Sequence, residues 1–558
     1  MAQSKSKNRN RNRNRNRKRN KIAAAPSSAG DVAIVGGGLA GMTAALELVR
    51  MGVNVRLFES GNRLGGKAGS DRSPPILDKR FSLDHTLSLP AGVLSDHGYH
   101  VFPQWYTNMR KLWAEIGITP ADEYRGKVYV ELPPAIDGQQ QAYGAGERPN
   151  LRQLLGICEL VLQPDELVDD LTLQGFLYSR DFHREKNPIG LNELILNALT
   201  IGEARISSRC ARDVFRQWVP VITEHNWNAL RGSLQTVLID RLEQRIRDVA
   251  AASGAQFSVH MGHQLTRLWI TDQGQPALDF SSSDVHAKRA SLSVDGAVVV
   301  MCIPFDRLRT LLDPNDFEAV PEVPAMHNLR ANTFSALDIH FEQQLPVTHP
   351  EHFRLKGSPY RVTGFEISQH WRELAGHKKY GSVMQFVMSD SKRMEDLDDV
   401  TFTRVLAKEI SRYIPEVGTD AVKFYVPHRN TDAPLFINEV GTWKYRPTSR
   451  SKLPGLYFAG DYVQNETDVA SMEGAVRTGF MAAEAVRFDH VQQHPPIDKV
   501  PPSTLSAAGL ALAQLYLEDP VLSRLNLFAG LAARFAEDAR TQAEAAVPPK
   551  PTGRTRRR

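Results

Sequence analysis

Apolar and polar positions near the start of the chain spell out one supersecondary unit. Val32 to Val35 form a short apolar run with strand character, and Gly36, Gly38 and Gly41 follow at G-x-G-x-x-G spacing. Ala44, Ala45, Leu48 and Val49 then recur at helical spacing, which predicts a helix laying an apolar face on a sheet. Gly52 ends that helix, and Val53 to Phe58 run as the next strand, stopping at Glu59. Related patterns return far downstream. Leu238 to Ala251 read as an amphipathic helix leading to two strands, and an apolar strand at Ala297 to Cys302 ends at Ile303-Pro304. Leu456 to Ala459 form another strand, Gly460-Asp461 a turn, and a helix starts at Ser471. Beyond Pro501-Pro502 the pattern predicts two further helices broken near Pro520, with Leu, Phe and Ala on faces suited to packing on their own protein.

The glycine turn carries chemistry. It lets a backbone approach a pyrophosphate at the N-terminus of the following helix, around Gly36, Gly38, Leu39, Ala40 and Gly41. Glu59, followed by Ser60, ends the second strand about 20 residues on, where a carboxylate accepts both hydroxyls of an adenosine ribose. Strand, turn, helix, strand and acid together point to a dinucleotide site on a Rossmann-type α/β unit. The run Arg63-Leu64-Gly65-Gly66-Lys67 resembles the E-x-x-x-R-x-G-G-[RK] extension of FAD enzymes. Its physical sense is a second close backbone approach and a cation beside the pyrophosphate, so the resemblance implies FAD.

Composition narrows the class. At 558 residues the chain has room for two or three domains and a sizeable core. Cys158, Cys210 and Cys302 are scattered without C-x-x-C spacing, which suggests neither a disulfide framework nor a thiolate metal site and fits a reducing, cytoplasmic compartment. The net charge of +5 hides an asymmetry: residues 1–21 hold ten Lys/Arg and no acid, and residues 546–558 hold five more. The body between them keeps 53 bases against 63 acids. The Arg/Asn-rich start is low in complexity and is expected to be disordered. It is either a passive solubility tail or a contact for anionic lipid head groups, the favoured active reading, or for nucleic acid; as a targeting segment it lacks a secretory apolar region, since IAAAPSSAG is too short and broken. Val32 to Val49 is long enough for a membrane span but contains the glycine turn and Glu47, so any membrane contact is expected to be peripheral. The pairs His97/His100 and His260/His263 have H-x-x-H spacing but no third ligand motif, and no metal is expected.

The segment Lys452 to Val486 is similar to the closing block of the phytoene and carotene desaturase family, plant and cyanobacterial type, within the flavin amine oxidase-like superfamily. Gly460, Asp461, Tyr462, Ala470, Ser471, Met472, Glu473, Gly474, Ala475, Val476 and Gly479 match its G-D-Y…A-S-M-E-G-A-V pattern, and Thr478 stands where the family usually has Ser. Gly98, His100, Phe102, Tyr106, Asn108, Leu112, Gly117 and Ile118 match a second block of that family. The resemblance implies that Gly460 and Asp461 face the ribityl chain and that Met472 and Ala475, on the first turn of a helix, lie at the flavin. There the positive end of the helix stabilises charge on the reduced ring. It also implies a backbone contact to adenine near Leu265, and it suggests that Gly474, Ala475 and Gly479 let this helix come close.

The block order implies an interleaved architecture. A Rossmann-type FAD-binding domain comes from 31–95, 230–310 and 440–490, and a mixed α+β substrate domain from 96–229 and 311–439. A basic tail (1–30), a C-terminal helical appendage (491–545) and a second basic tail (546–558) flank them. The implied activity is hydride transfer from an apolar isoprenoid or polyene to flavin N5, with a quinone or oxygen as electron acceptor. No catalytic acid or base is legible, and His100 and Tyr106 read as structural. Flavin amine oxidases, hydroxysqualene-type dehydroxylases and non-catalytic prenyl-binding proteins of the same fold are the rival readings. An acidic body without interleaved basic and aromatic residues argues against specific nucleic-acid binding.

Overall fold

The computed structural model describes most residues between 31 and 499. Outside the description lie 1–30, 71–75, 78–81, 84–94, 127–129, 146–156, 180–200, 219–226, 283–290, 296–297, 375–380, 432–433, 500–558 and a few single positions, Cys158 among them. Both basic tails and the two helices expected after Pro502 therefore fall outside the described residues.

Strand β1 (Asp31–Val35) pairs in parallel with β2 (Asn54–Phe58), and helix α1 (Leu39–Arg50) connects them. Strand Phe257–His260 lies beside β2, Val298–Met301 beside β1, and Leu456–Phe458 outside that, all parallel. Five short strands from three distant stretches of sequence thus make one sheet. They read as unbroken apolar runs because a parallel sheet is covered on both faces. The sequence pattern gave α1 one apolar face, yet the helix is buried on nearly every side, from Leu39 to Leu46 and again at Leu48 and Val49. The reason is Gly479 on helix Met472–His490: a Cβ there would sit 2.5 Å from the Ala40 carbonyl oxygen and 2.8 Å from Thr43 Cβ.

The amphipathic helix runs Asp240–Ser253, two residues later than its pattern suggested, because a π-helical turn (Gln235–Ile239) precedes it. Leu242, Ile246, Val249 and Ala250 form its buried stripe, and Gly254, at φ 77°, ends it. After it come the expected strand Phe257–His260 and a three-stranded antiparallel sheet of His263–Ile270, Pro276–Ser282 and Ser291–Asp295. Residues 491–499 contain no helix, and Ile497 N–H donates to Glu484 Oε2 at 2.9 Å.

The second large unit is a nine-stranded, mostly antiparallel sheet built around Ser335–Phe341, Val383–Met388, Val362–Glu366 and Val422–His428. Cross-strand partners share a face. Leu337, Ile339, Met384 and Phe386 form an apolar face that packs with Phe402, Leu406 and Ile410 of helix Asp399–Ser411. The opposite face is polar and also buried: Asp338 lies opposite Gln385, and His340 and His428 flank them.

Segment 95–101 covers that polar face. Gly98, at φ 128°, approaches so closely that a Cβ would lie 2.9 Å from Val387 Cγ2. Ser95 Oγ bonds Asp338 and, at 2.9 Å, His428 Nε2, while Gln385 Nε2 donates to the Asp96 carbonyl at 3.3 Å. This Ser–His–Asp group is no proton relay. His428 meets both Ser95 and Asp338 through the single nitrogen Nε2, whereas a relay uses both. On its other side, the Asp96 carboxylate accepts from Ser70 Oγ and the Leu234 N–H, and Ser70 Oγ accepts from the Gln235 N–H. Buried hydrogen bonds therefore run from the helix start at 234 to the far sheet.

Burial pushes the Asp96 carboxyl up to about 7, against the Ser70 and Leu234 hydrogen bonds that pull it down. Between its ordinary value of 3.8 and about 7 the native chain holds a proton that the unfolded chain has released, so this group removes stability as pH rises through that window. Thermal unfolding from pH 5 to 8 should show a steeper loss for the parent than for Asp96→Asn; equal slopes would contradict the assignment.

Candidate dinucleotide site

The carboxyl ends of four parallel strands lie side by side. Gly36 N–H donates to the Phe58 carbonyl at 2.8 Å, Cys302 N–H to Val35 at 2.8 Å, and Ala459 N–H to Met301 at 2.9 Å. In open parallel sheets, ligands bind beyond these ends.

The three fingerprint glycines have different reasons. A Cβ on Gly36, at φ 108°, would lie 2.9 Å from the Cys302 carbonyl, and one on Gly41 would lie 2.1 Å from the Gly36 carbonyl oxygen. Both are glycine because the turn must fold on itself. Gly38 is half-buried, and a Cβ there would meet nothing nearer than 3.9 Å. The open space beside Gly38 is where a ligand group fits. Leu39 and Ala40 follow at the helix N-terminus, with the N–H groups of its first turn available to an anion.

The second glycine pair packs on the first turn. Gly65 N–H donates to the Gly37 carbonyl at 2.8 Å, and a Cβ on Gly66 would lie 3.1 Å from Gly38 Cα. Lys67 Nζ donates to the Pro434 carbonyl at 2.5 Å, so its ammonium serves a structural tie. The Arg63 guanidinium lies across Gly69, and the His97 imidazole hydrogen-bonds the Gly69 backbone.

The Glu59 carboxylate is held in place: Oε2 accepts from Gly37 N–H at 2.8 Å, and Oε1 from Gly61 N–H at 2.7 Å and Ser60 Oγ at 3.1 Å. With about four lone-pair sites on a carboxylate, it retains capacity for a ligand hydroxyl. The downstream segment that meets Glu59 is 260–263: Glu59 N–H donates to the His260 carbonyl at 3.0 Å, and His263 N–H to the Glu59 carbonyl at 2.8 Å. Leu265 lies farther along, with its side chain in the core beside Phe280. His260 stacks on Phe58 at 4.7 Å between centroids, a neighbour that the H-x-x-H spacing did not disclose.

The last helix begins at the same place. Ser471 Oγ caps it by accepting from Gly474 N–H at 3.0 Å. Thr478 Oγ1 accepts from Gly460 N–H at 3.0 Å and donates to the Gly474 carbonyl at 2.8 Å, so the departure from Ser keeps the hydroxyl that this turn uses. The close approach allowed by Gly479 is to α1. Asp461, Ala470, Met472 and Ala475 stay half-buried amid buried neighbours, and the Asp461 carboxylate has no hydrogen bond among the described residues. Tyr462 is buried, and its hydroxyl has no hydrogen-bond partner among the described residues. Open space at Gly38, an unengaged carboxylate and a helix N-terminus fit a flavin dinucleotide.

Two residues of the matched blocks serve each other. Glu473 Oε1 accepts from Asn108 N–H at 3.0 Å and Asn108 Nδ2 at 2.8 Å, and Oε2 accepts from Met109 N–H at 2.8 Å. Glu473 therefore caps helix α2 (Thr107–Glu115) and is structural. Burial pushes its carboxyl upward, and the Asn108 and Met109 donors oppose that shift. His100 is half-buried 4.0 Å from Asp96, and burial pushes its imidazole down to about 4, so it is neutral at pH 7. No described helix is long and apolar enough to cross a membrane.

Residues 221–487 match the Flavin containing amine oxidoreductase family, and residues 34–116 match the NAD(P)-binding Rossmann-like domain. The 15-cis-phytoene desaturase of Solanum lycopersicum is 21% identical over 491 residues, covering 83% of this chain and 79% of its own. A carotenoid phi-ring synthase of Streptomyces griseus is 24% identical over 509 residues, covering 82% and 87%. Cyclohexylamine oxidase from Brevibacterium oxydans shares the fold, with a TM-score of 0.58 at 14% identity over 82% of this chain and 99% of its own.

The glycines make a paired prediction. Gly38→Val should keep the thermal midpoint of the ligand-free protein within a few degrees while abolishing FAD binding. Gly41→Ala should lower that midpoint markedly, since its methyl overlaps the turn. Normal FAD binding by the Gly38 variant would place the ligand elsewhere.

Proposed function

We infer that this chain, which belongs to the flavin amine oxidase-like superfamily and is an FAD-dependent oxidoreductase resembling carotene desaturases, oxidises a carbon–carbon bond in an apolar isoprenoid or polyene. The observation that carries the flavin placement is the unengaged Asp461 carboxylate beside a capped helix N-terminus, just beyond the carboxyl end of strand Leu456–Phe458 in the sheet that carries the glycine turn. In this reading Gly36, Gly38, Leu39, Ala40 and Gly41 receive the pyrophosphate, and Glu59 with Ser60 receives the adenosine ribose. Arg63, Gly65, Gly66 and Lys67 shape the second wall, and Leu265 contributes only main chain near the adenine. Gly460, Asp461, Met472 and Ala475 face the ribityl chain and the ring.

When bound, FAD would supply the hydride acceptor for an allylic carbon, with the neighbouring carbon giving up its proton. The chain's own part is to orient a long substrate and exclude water. The neutral His100 and the buried Tyr106 shape this part of the site without carrying charge. The domain division we propose keeps the sequence boundaries: 31–95, 230–310 and 440–490 for FAD, and 96–229 with 311–439 for substrate. The electron acceptor in this reading would be a quinone or oxygen. The ten cations of residues 1–21 contribute about 1 kcal/mol each at an anionic bilayer, which supports peripheral contact for delivery of a membrane-dissolved substrate.

The test is anaerobic mixing of the FAD-loaded protein with phytoene, carotenes, squalenoids and amines, one at a time. Bleaching of the flavin band by a polyene, with a desaturated product, is the expected result. Bleaching by amines alone would move the protein to amine oxidation.

A further inference from the structure

Arg446 is buried, and its guanidinium gathers the turn that carries Asp461. Nε donates to the Tyr462 carbonyl at 2.9 Å, and one terminal nitrogen to the carbonyls of Val463 at 2.8 Å and Asp461 at 3.4 Å. The other terminal nitrogen pairs with Asp468 Oδ1. Trp443 and Phe436 flank it, with ring centroids 4.8 and 5.0 Å away. Three consecutive carbonyls and a carboxylate on one group call for a planar fork of five donors, which Arg has and Lys lacks.

Asp468 is held from a second side. Its φ of 48° is in the left-handed region, and it is fixed by Asn438 Nδ2 donating to its carboxylate at 2.6 Å and to its carbonyl at 2.9 Å. Asn438 and Arg446 belong to one stretch of chain, 434–446, whose first residue accepts the Lys67 ammonium. This stretch therefore grips the Gly65–Gly66–Lys67 turn at one end and the 461–468 turn at the other. The first of these turns borders the open space at Gly38, and the second lies against the start of helix Met472–His490, where Asp461 Cα would be 3.9 Å from a Cβ on Gly474.

We propose that Arg446 is a positioning residue. Through its pair with Asp468 it sets the Asp461 carboxylate and the start of helix Met472–His490 at the spacing the flavin needs, and stretch 434–446 is the brace that keeps the two turns in register. The proposal rests on the flavin placement given above. Failure of the parent apoprotein to take up FAD would remove that placement, whereas the variants below test Arg446 alone.

The experiment uses the full-length parent, Arg446→Lys and Asp468→Asn. Each apoprotein is titrated with FAD by flavin fluorescence, and the midpoint potential of the bound flavin is measured beside the thermal midpoint of the ligand-free protein. Arg446→Lys should bind FAD about ten-fold or more weakly, since it loses several charge-assisted hydrogen bonds, and should shift the potential. Asp468→Asn keeps an acceptor for Arg446 but loses the charge, and should move both readouts in the same direction by less. Parental affinity and potential in a folded Arg446→Lys protein would overturn the proposal. Should that variant fail to fold, parental values in Asp468→Asn would overturn it and shifted values would support it.

Discussion

Contact between backbones that no side chain separates is the constraint on which this structure depends. Gly41 lies against the Gly36 carbonyl and Gly479 against the Ala40 carbonyl, each closer than a methyl group allows, and a methyl on Gly66 would crowd Gly38 Cα at 3.1 Å. These contacts join the first strand turn, the turn at 65–66 and a helix more than 400 residues later around one space. The sheet beneath gains its stability from continuous burial of Val, Ile and Leu, but the position of the open space is set by these contacts.

A second constraint is the satisfaction of buried polar groups. Asn108 and Glu473 stand 365 positions apart and join helix α2 to the last helix. Asp96, Ser70, Ser95, Gln385 and His428 join the helix start at 234 to the inner face of the nine-stranded sheet. Arg446 and Asp468 form a third such group. Each would be costly to leave half made, since a lone buried charge is far less stable than a paired one. Such groups specify one mutual arrangement of segments that apolar packing alone would leave open.

The half of the fold built on the parallel sheet was legible because its residues are restricted by chemistry as well as by burial. Val32 to Val35, Gly36, Gly41 and Glu59 each admit few alternatives at their places. The other half was hard to read for a physical reason. Strand Ser335–Phe341 alternates Leu337, Ile339 and Phe341 with Asp338 and His340, the pattern of a half-exposed strand, although every residue in it is buried. The segment touching Glu59 had no sequence signal, because it is fixed by main-chain hydrogen bonds at 260–263, which leave no trace in side-chain identity. Lys67 and Gly479 carried motif signals that were real, but their partners, Pro434 and Ala40, lie far away in sequence. Arg446 had no local signal at all; only the convergence of carbonyls from 461–463 reveals it.

The central claim is that the space bounded by Gly38, Glu59, Asp461 and the start of the last helix is a working flavin site. The absorption spectrum of the purified full-length protein, before and after incubation with FAD and removal of the excess, tests this most directly. The account predicts protein-bound flavin bands in near one-to-one amount with the chain after reconstitution. A protein that stays folded and colourless after that treatment would contradict it.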